Sequence, residues 1–315
     1  MKIVEVGPRD GLQNETAPVP TDAKVAFIDT LSASGVDEIE VSAFVSARWV
    51  PQLKDACEVF DRIERRPGVV YSALVPNEQG LERALTAQAD KVAIFTSASE
   101  TFNRKNINTS IKGSIKRFRP VIEKAQRENL PVRGYISTAF WCAFEGRIRP
   151  EAVIEVVRML DDIGIGEISI SDTIGKASPD EVKALLDLLL PICPSHRIAV
   201  HFHDTYGRGV ENVLASLSRD IRIFDSSAGG LGGCPYAPGA TGNVATEKVV
   251  TALEKAGYPT GVDVRKIWQA RQLLNPYLKD ARRAYPEDGS PACAACEYAA
   301  GRVCCRRDQS ASQAT

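Results

Sequence analysis

The segment AVHFHDTYG, residues 199–207, sets His201 and His203 two positions apart in a chain with only three histidines, the third being His196. On a β-strand, residues i and i+2 project to the same face. The two imidazoles therefore point together, with Phe202 on the other side. Paired imidazoles suit a divalent metal; the ordinary alternative is a pair of hydrogen-bonded core histidines. Two nitrogens do not complete a coordination sphere. Asp10, in VGPRDGLQN, offers a hard oxygen directly after an apolar run and beside the cation Arg9, in a segment whose Pro, Asp and Gly also suit an ordinary turn. Asn243 stands near the end of SSAGGLGGCPYAPGATGNVATE, just ahead of a helical pattern, as a further ligand or as a plain N-cap. An Asp, an Asn and two His, with room for water, suit octahedral Mg²⁺ or Mn²⁺ better than closed tetrahedral zinc.

These residues need a scaffold that brings distant segments to one rim. Short β-rich runs occur at 2–6, 38–44, 69–75, 91–97, 132–138, 167–172, 197–204 and 221–227. Helical spacing separates them, as at 21–34, 113–129 and 150–163. Ser178 and Glu181 have capping-box spacing with Pro179 at the first helical position, and Gly257 fits a C-cap. Eight strand signals, each followed by a helix signal, predict an α/β fold: a (β/α)₈ TIM barrel with extra C-terminal helices over 262–283. A doubly wound sheet fits less well, because polar, glycine-bearing segments follow strands along the whole chain. In a barrel, the strand ends carrying Asp10, His201, His203 and Asn243 share the catalytic rim.

The 315 residues carry a formal net charge of −1, which points to neither nucleic acid nor an anionic membrane as partner. No run of about 18 apolar residues suggests a membrane span. The start, MKIVEVGPRDGLQ, enters a strand pattern directly, so a cytoplasmic enzyme is expected. Of eight cysteines, Cys57, Cys142, Cys193 and Cys234 are scattered, and disulfides are not expected in that setting. Cys293, Cys296, Cys304 and Cys305 crowd a tail, 288–315, with little apolar periodicity. It is expected to be disordered, and its spacing fits a zinc site poorly. The barrel domain would then span 1–287.

The segments VEVGPRDGLQNE, IEVSAFVSARWVPQL, FNRKNIN, ISDTIG, HFHDTYG and GGLGGCPYAPGATGNVATE resemble the 3-hydroxy-3-methylglutaryl-CoA lyase family, from residue 2 to about residue 275. The glycine–cysteine loop and GPRDGLQ are specific to that lyase, whereas the RD and HxH elements mark only the wider group of metal-dependent lyase and Claisen-condensing barrels. The resemblance implies a (β/α)₈ barrel that splits 3-hydroxy-3-methylglutaryl-CoA into acetyl-CoA and acetoacetate. It maps the metal ligands onto Asp10, His201, His203 and Asn243. It maps other functional residues onto Arg9, Glu40, Asp172 and Cys234. The partner is then a small-molecule acyl-CoA, and a homodimer is the expected assembly.

That reaction, a retro-Claisen cleavage, needs a metal on the tertiary hydroxyl, a cation at the enolate oxygen and a proton donor for the new methyl group. Arg9 is the cation, and both histidines bind as neutral imidazoles. Glu40 would pair with Arg9 or orient a water, unless it is an outward strand charge. Asp172 would orient a ligand or the substrate hydroxyl. Asp10, a histidine such as His201, or a metal-bound water could take the hydroxyl proton. Cys234, in a loop able to close over the thioester, suits proton delivery to carbon, its alternative being an inert loop thiol. Lys176-Ala177 and Trp141 depart from the family pattern and bear on the acyl or CoA pocket. The rival activities are cleavage of a longer branched 3-hydroxyglutaryl-CoA, a related Claisen-type condensation or aldol reaction, and a non-enzymatic metal-binding barrel. A biotin-dependent carboxyltransferase would need a lysine deeper on an inner strand than Lys2 or Lys91, which both open strands.

Overall fold

The computed structural model describes residues 1–13, 15–232 and 242–278. Eight strands form the barrel: β1 (Lys2–Glu5), β2 (Glu38–Ala43), β3 (Val70–Leu74), β4 (Lys91–Ser97), β5 (Val132–Ser137), β6 (Glu167–Asp172), β7 (Ile198–Phe202) and β8 (Ile223–Ser226). Each lies within two residues of a strand predicted above. All pair in parallel in sequence order, and β1 pairs with both β8 and β2, which closes the sheet.

Helices follow each strand: α1 (Thr21–Ser32), α2 (Ala56–Arg62), α3 (Glu78–Thr86), α4 (Glu100–Ile107), α5 (Ile111–Arg127), α6 (Pro150–Asp161), α7 (Pro179–Leu189), α8 (Gly209–Leu217) and α9 (Thr246–Lys255). The capping box on α7 forms, with Ser178 and Glu181 bonded reciprocally. Helix α4, over FNRKNI, is an element that apolar spacing did not reveal: only Phe102 and Asn103 are buried on it, too few for a stripe. Beyond α9, α10 (Val264–Gln272) packs on α1 and α9, and a 3₁₀ turn over Asn275–Tyr277 follows. The predicted run of about two helices over 262–283 is thus one helix and a turn as far as residue 278; the tail 288–315 lies outside the described residues.

The apolar core lies between strands and helices, built from residues such as Ile3, Ile39, Ile168, Ile170, Val200, Phe202 and Phe224. Strand positions of the opposite parity face the barrel axis, and there the chain is unusually polar. Lys2, Glu38, Lys91 and Glu167 are each the first residue of a strand. Lys2 Nζ lies 2.8 Å from Glu38 Oε2, Lys91 Nζ 3.0 Å from Glu38 Oε2 and 2.7 Å from Glu167 Oε1. Arg133 Nε adds a contact of 3.1 Å to Glu167 Oε1. Both lysines that open strands are therefore held in this ion network at the N-terminal end of the barrel.

Candidate metal centre

The end of β1 turns through Gly7–Gly11 as a single π-helical turn, with the backbone N–H groups of Asp10 and Gly11 donating to Val6 O at 2.8 and 3.1 Å. Such turns re-aim side chains at functional sites. Beneath it lies Glu5, fully buried and facing away from the axis. Its Oε1 accepts from the backbone N–H of Gly7 and of Ala228, both at 2.9 Å, and its Oε2 from Thr246 Oγ1 at 2.6 Å. Burial pushes this carboxyl up to about 8. Glu5 thus ties the turn carrying Asp10 to the start of α9, just after Asn243.

On β7, His201 shares its inward parity with Ala199, and His203 continues it beyond the strand. Their ring centroids are 5.4 Å apart. Asn243 is held by a backbone bridge to His203, with Val244 N–H donating to Phe202 O at 3.0 Å. The residue before it is necessarily glycine: Gly242 has φ +77°, and a Cβ there would fall 1.2 Å from Gly232 O. Asn243 is not the N-cap of α9, a position taken by Ala245. Its Nδ2 donates to Asp10 Oδ2 at 2.8 Å and to Leu231 O at 3.0 Å.

Ligand-competent atoms of Asp10, His201 and His203 all lie within 4.8 Å of one another. His201 turns Nε2 toward Asp10 Oδ2, 3.9 Å away. The donor set fits a cation. Asn243 Oδ1 and His203 Nδ1 are buried without a hydrogen-bond partner, a costly state in an interior unless a ligand completes it. Burial would raise the Asp10 carboxyl, but Arg9, the two histidines and Asn243 outweigh it and bring it to about 2. Burial, reinforced by His201, lowers His203 to about 4, so it is a neutral imidazole at pH 7 with a lone pair to give.

Arg9 is buried and fixed from two sides. Its Nε donates to Glu40 Oε2 at 2.7 Å and its Nη1 to Asp10 Oδ1 at 2.7 Å. Glu40 therefore faces inward, as the Arg9 partner and not as an outward strand charge, and a break in β2–β3 register directly follows it. Tyr135 OH also donates to Glu40 Oε2, at 3.2 Å, leaving Oε1 buried and unpartnered. Burial pushes Glu40 up, against the pull of Arg9.

A family model described as HMGL-like matches residues 1–274. The cytoplasmic 3-hydroxy-3-methylglutaryl-CoA lyase of Rattus norvegicus is 51% identical over 274 residues, 87% of this chain and 80% of that protein. The chain belongs to the HMG-CoA lyase family. The crystal structure of the HMG-CoA lyase from Brucella melitensis, 48% identical, matches with a TM-score of 0.86 over 89% of this chain and 99% of that one. An HMG-CoA lyase from A. baumannii in complex with coenzyme A and 3-methylmalate, 37% identical, matches with a TM-score of 0.85 over 92% and 97%. No helix among the described residues is long and apolar enough to cross a membrane.

Within this HMG-CoA lyase fold, the structure brings Arg9, Asp10, Glu40, His201, His203 and Asn243 together. Asp172 stands apart from that group. It has the outward parity of Ile168 and Ile170, and its Oδ2 accepts from Ala177 N–H at 2.8 Å. Burial raises it to about 6. It shapes the turn after β6, where Gly175 (φ +71°) lies so close to the backbone that a Cβ would meet His203 O at 2.8 Å. Asp172 also meets His203 directly, its backbone carbonyl accepting from the His203 N–H at 3.4 Å, and its Oδ1 is buried without a hydrogen-bond partner. Cys234 lies outside the described residues. The two departures from the family pattern meet: Lys176 Nζ sits 3.9 Å above the Trp141 ring, whose Nε1 donates to Glu181 Oε2 at 3.4 Å. Sequence reasoning missed Glu5, Arg133, Tyr135 and Asp225. Each is a polar residue within a short strand, a signal too common to single out a site.

Proposed function

We propose that this chain cleaves 3-hydroxy-3-methylglutaryl-CoA to acetyl-CoA and acetoacetate. The observation that carries this is the convergence of Asp10, His201, His203 and the unpartnered Asn243 Oδ1 beside a guanidinium locked by two carboxylates. Asp10, His201, His203 and Asn243 would hold a divalent cation, Mg²⁺ or Mn²⁺. Bound there, it would acidify and orient the tertiary hydroxyl of the substrate. The hydroxyl proton leaves to a base at the rim and the C2–C3 bond breaks. Its electron pair moves onto the thioester carbonyl oxygen, C3 becomes the ketone of acetoacetate, and protonation of C2 gives acetyl-CoA.

Arg9 serves the developing enolate oxygen. Its charge is permanent, and Glu40 and Asp10 fix the fork before substrate arrives, so little reorganisation is needed as charge builds. Glu40, itself steadied by Tyr135, holds that fork and keeps Oε1 free to accept from a water or substrate group. Asp172 maintains the turn against His203. Cys234 is the proposed donor to C2, since a thiol titrates nearer neutrality than a hydroxyl.

The test is a coupled assay of acetyl-CoA release with and without chelator. We expect activity to vanish on chelation and return with Mg²⁺ or Mn²⁺. Activity indifferent to chelator would reject the metal, and no acetoacetate under any metal would favour a non-catalytic barrel. Alkylation should abolish activity, with substrate protecting; a fully active Cys234→Ser variant would remove Cys234 from the mechanism.

A further inference from the structure

Asp225 has had no part in the chemistry so far. It is the third residue of β8, faces the barrel axis and is 2% exposed. A carboxylate so placed needs donors; two side chains supply them, and an imidazole nitrogen lies close by without completing a hydrogen bond. Arg133 Nη2 donates to Oδ1 at 2.6 Å and Ser169 Oγ to Oδ2 at 3.0 Å. His201 Nδ1 approaches Oδ2 at 3.3 Å. Arg133 is itself immobilised by Glu167 and lies over the Tyr135 ring, 4.9 Å from its centroid. The Tyr135 ring in turn meets His201 edge-on, with centroids 6.1 Å apart. Asp225 is thus held from two strands and abuts the imidazole on the side away from Asp10.

A neutral imidazole carries one N–H and one lone pair, and the hydrogen bond at one nitrogen decides which is which. An ionised carboxylate only accepts. Facing Asp225, Nδ1 must carry the proton for the contact to be attractive. Nε2 is then left with its lone pair, and Nε2 is the nitrogen turned toward Asp10. We propose that Asp225 is a positioning residue that sets the tautomer and ring orientation of His201 for the cation. Arg133 and Ser169 hold Asp225 in place. This inference rests on the metal reading given above.

The test uses full-length, metal-free protein and Mn²⁺ as probe. Long-range ¹H–¹⁵N spectra of histidine-labelled wild type, with only three rings to assign, should show His201 protonated at Nδ1; protonation at Nε2 overturns the proposal. Mn²⁺ affinity, followed by electron paramagnetic resonance, should fall on the order of 10–100-fold in Asp225→Asn. It should fall less in Ser169→Ala, which removes one donor and no charge. If Asp225→Asn does not fold, Ser169→Ala and the wild-type tautomer decide the matter. Wild-type protein that ignores Mn²⁺, or an affinity unmoved by His201→Ala, overturns the metal reading and this inference together. Affinity lost in His201→Ala but unchanged in Asp225→Asn and Ser169→Ala overturns the role of Asp225 alone.

Discussion

The two ends of the barrel interior are lined by the same residue types and finish in opposite states. At the N-terminal end, Lys2, Lys91 and Arg133 face Glu38 and Glu167, and each charge has a partner within 3.1 Å. Burial disfavours the Glu38 carboxylate, but Lys91, Arg133 and Lys2 outweigh it and pull it down to about 2. At the C-terminal rim, Glu40 Oε1, His203 Nδ1 and Asn243 Oδ1 are as deeply buried and have no partner. A closed network fixes one geometry and asks for nothing more. An open one, in the same fold, leaves buried atoms able to accept or coordinate a further group. Arg133 joins the two, touching Glu167 below and Asp225 above.

This contrast can be broken at either end. The largest effect should come from Arg9→Met: kcat falls on the order of 10³-fold, while Mn²⁺ affinity holds within a few-fold. Equal kcat would end the assignment, and lost Mn²⁺ binding would make Arg9 part of the ligand scaffold instead. At the other end, Glu38→Gln leaves Lys2 and Lys91 sharing Glu167. Its urea unfolding midpoint should report a loss of about 3 kcal/mol, with kcat/KM of the folded enzyme within about twofold. A deep loss of kcat there would show that the two ends are not independent.

A smaller effect sharpens the picture at the root of the rim. The Glu5 carboxyl is raised from its ordinary 4.5 to about 8 in the folded state, so folding favours its neutral form. Its contribution is full below about pH 4.5 and is lost as pH rises through about 8. Stability should therefore decline by up to about 1.4 kcal/mol per pH unit across that window. Glu5→Gln, which mimics the neutral acid, should lack that slope when metal-free protein is unfolded in urea at pH 5.5 and 7.5. A variant as pH-dependent as the wild type there would move the effect to another group.

The strands and most of the helices were legible because their apolar positions recur with the periods of a strand and a helix. The His201–His203 pair was legible because i, i+2 spacing on a strand admits one geometry. Asp10 could be singled out as a charge at a strand end. Glu40 could not be settled: a barrel strand is buried on both faces, so alternation says that its residues face two ways without saying which way is the axis. The facing of Asp172 was illegible for the same reason: in the structure it has the parity of Ile168 and Ile170.

The sequence by itself determined the eight-fold βα repeat and placed the residues proposed to hold a cation at or just beyond strand ends, because strand positions follow from local periodicity. Only the tertiary structure decided which charges meet. Arg133 and Asp225 are 92 residues apart, and Asn243 and Asp10 are 233 apart. Nothing local pairs them: it is the closing of β8 on β1, and the parity that closure imposes, that turns scattered polar residues into a charge-paired network at one end and an open site at the other.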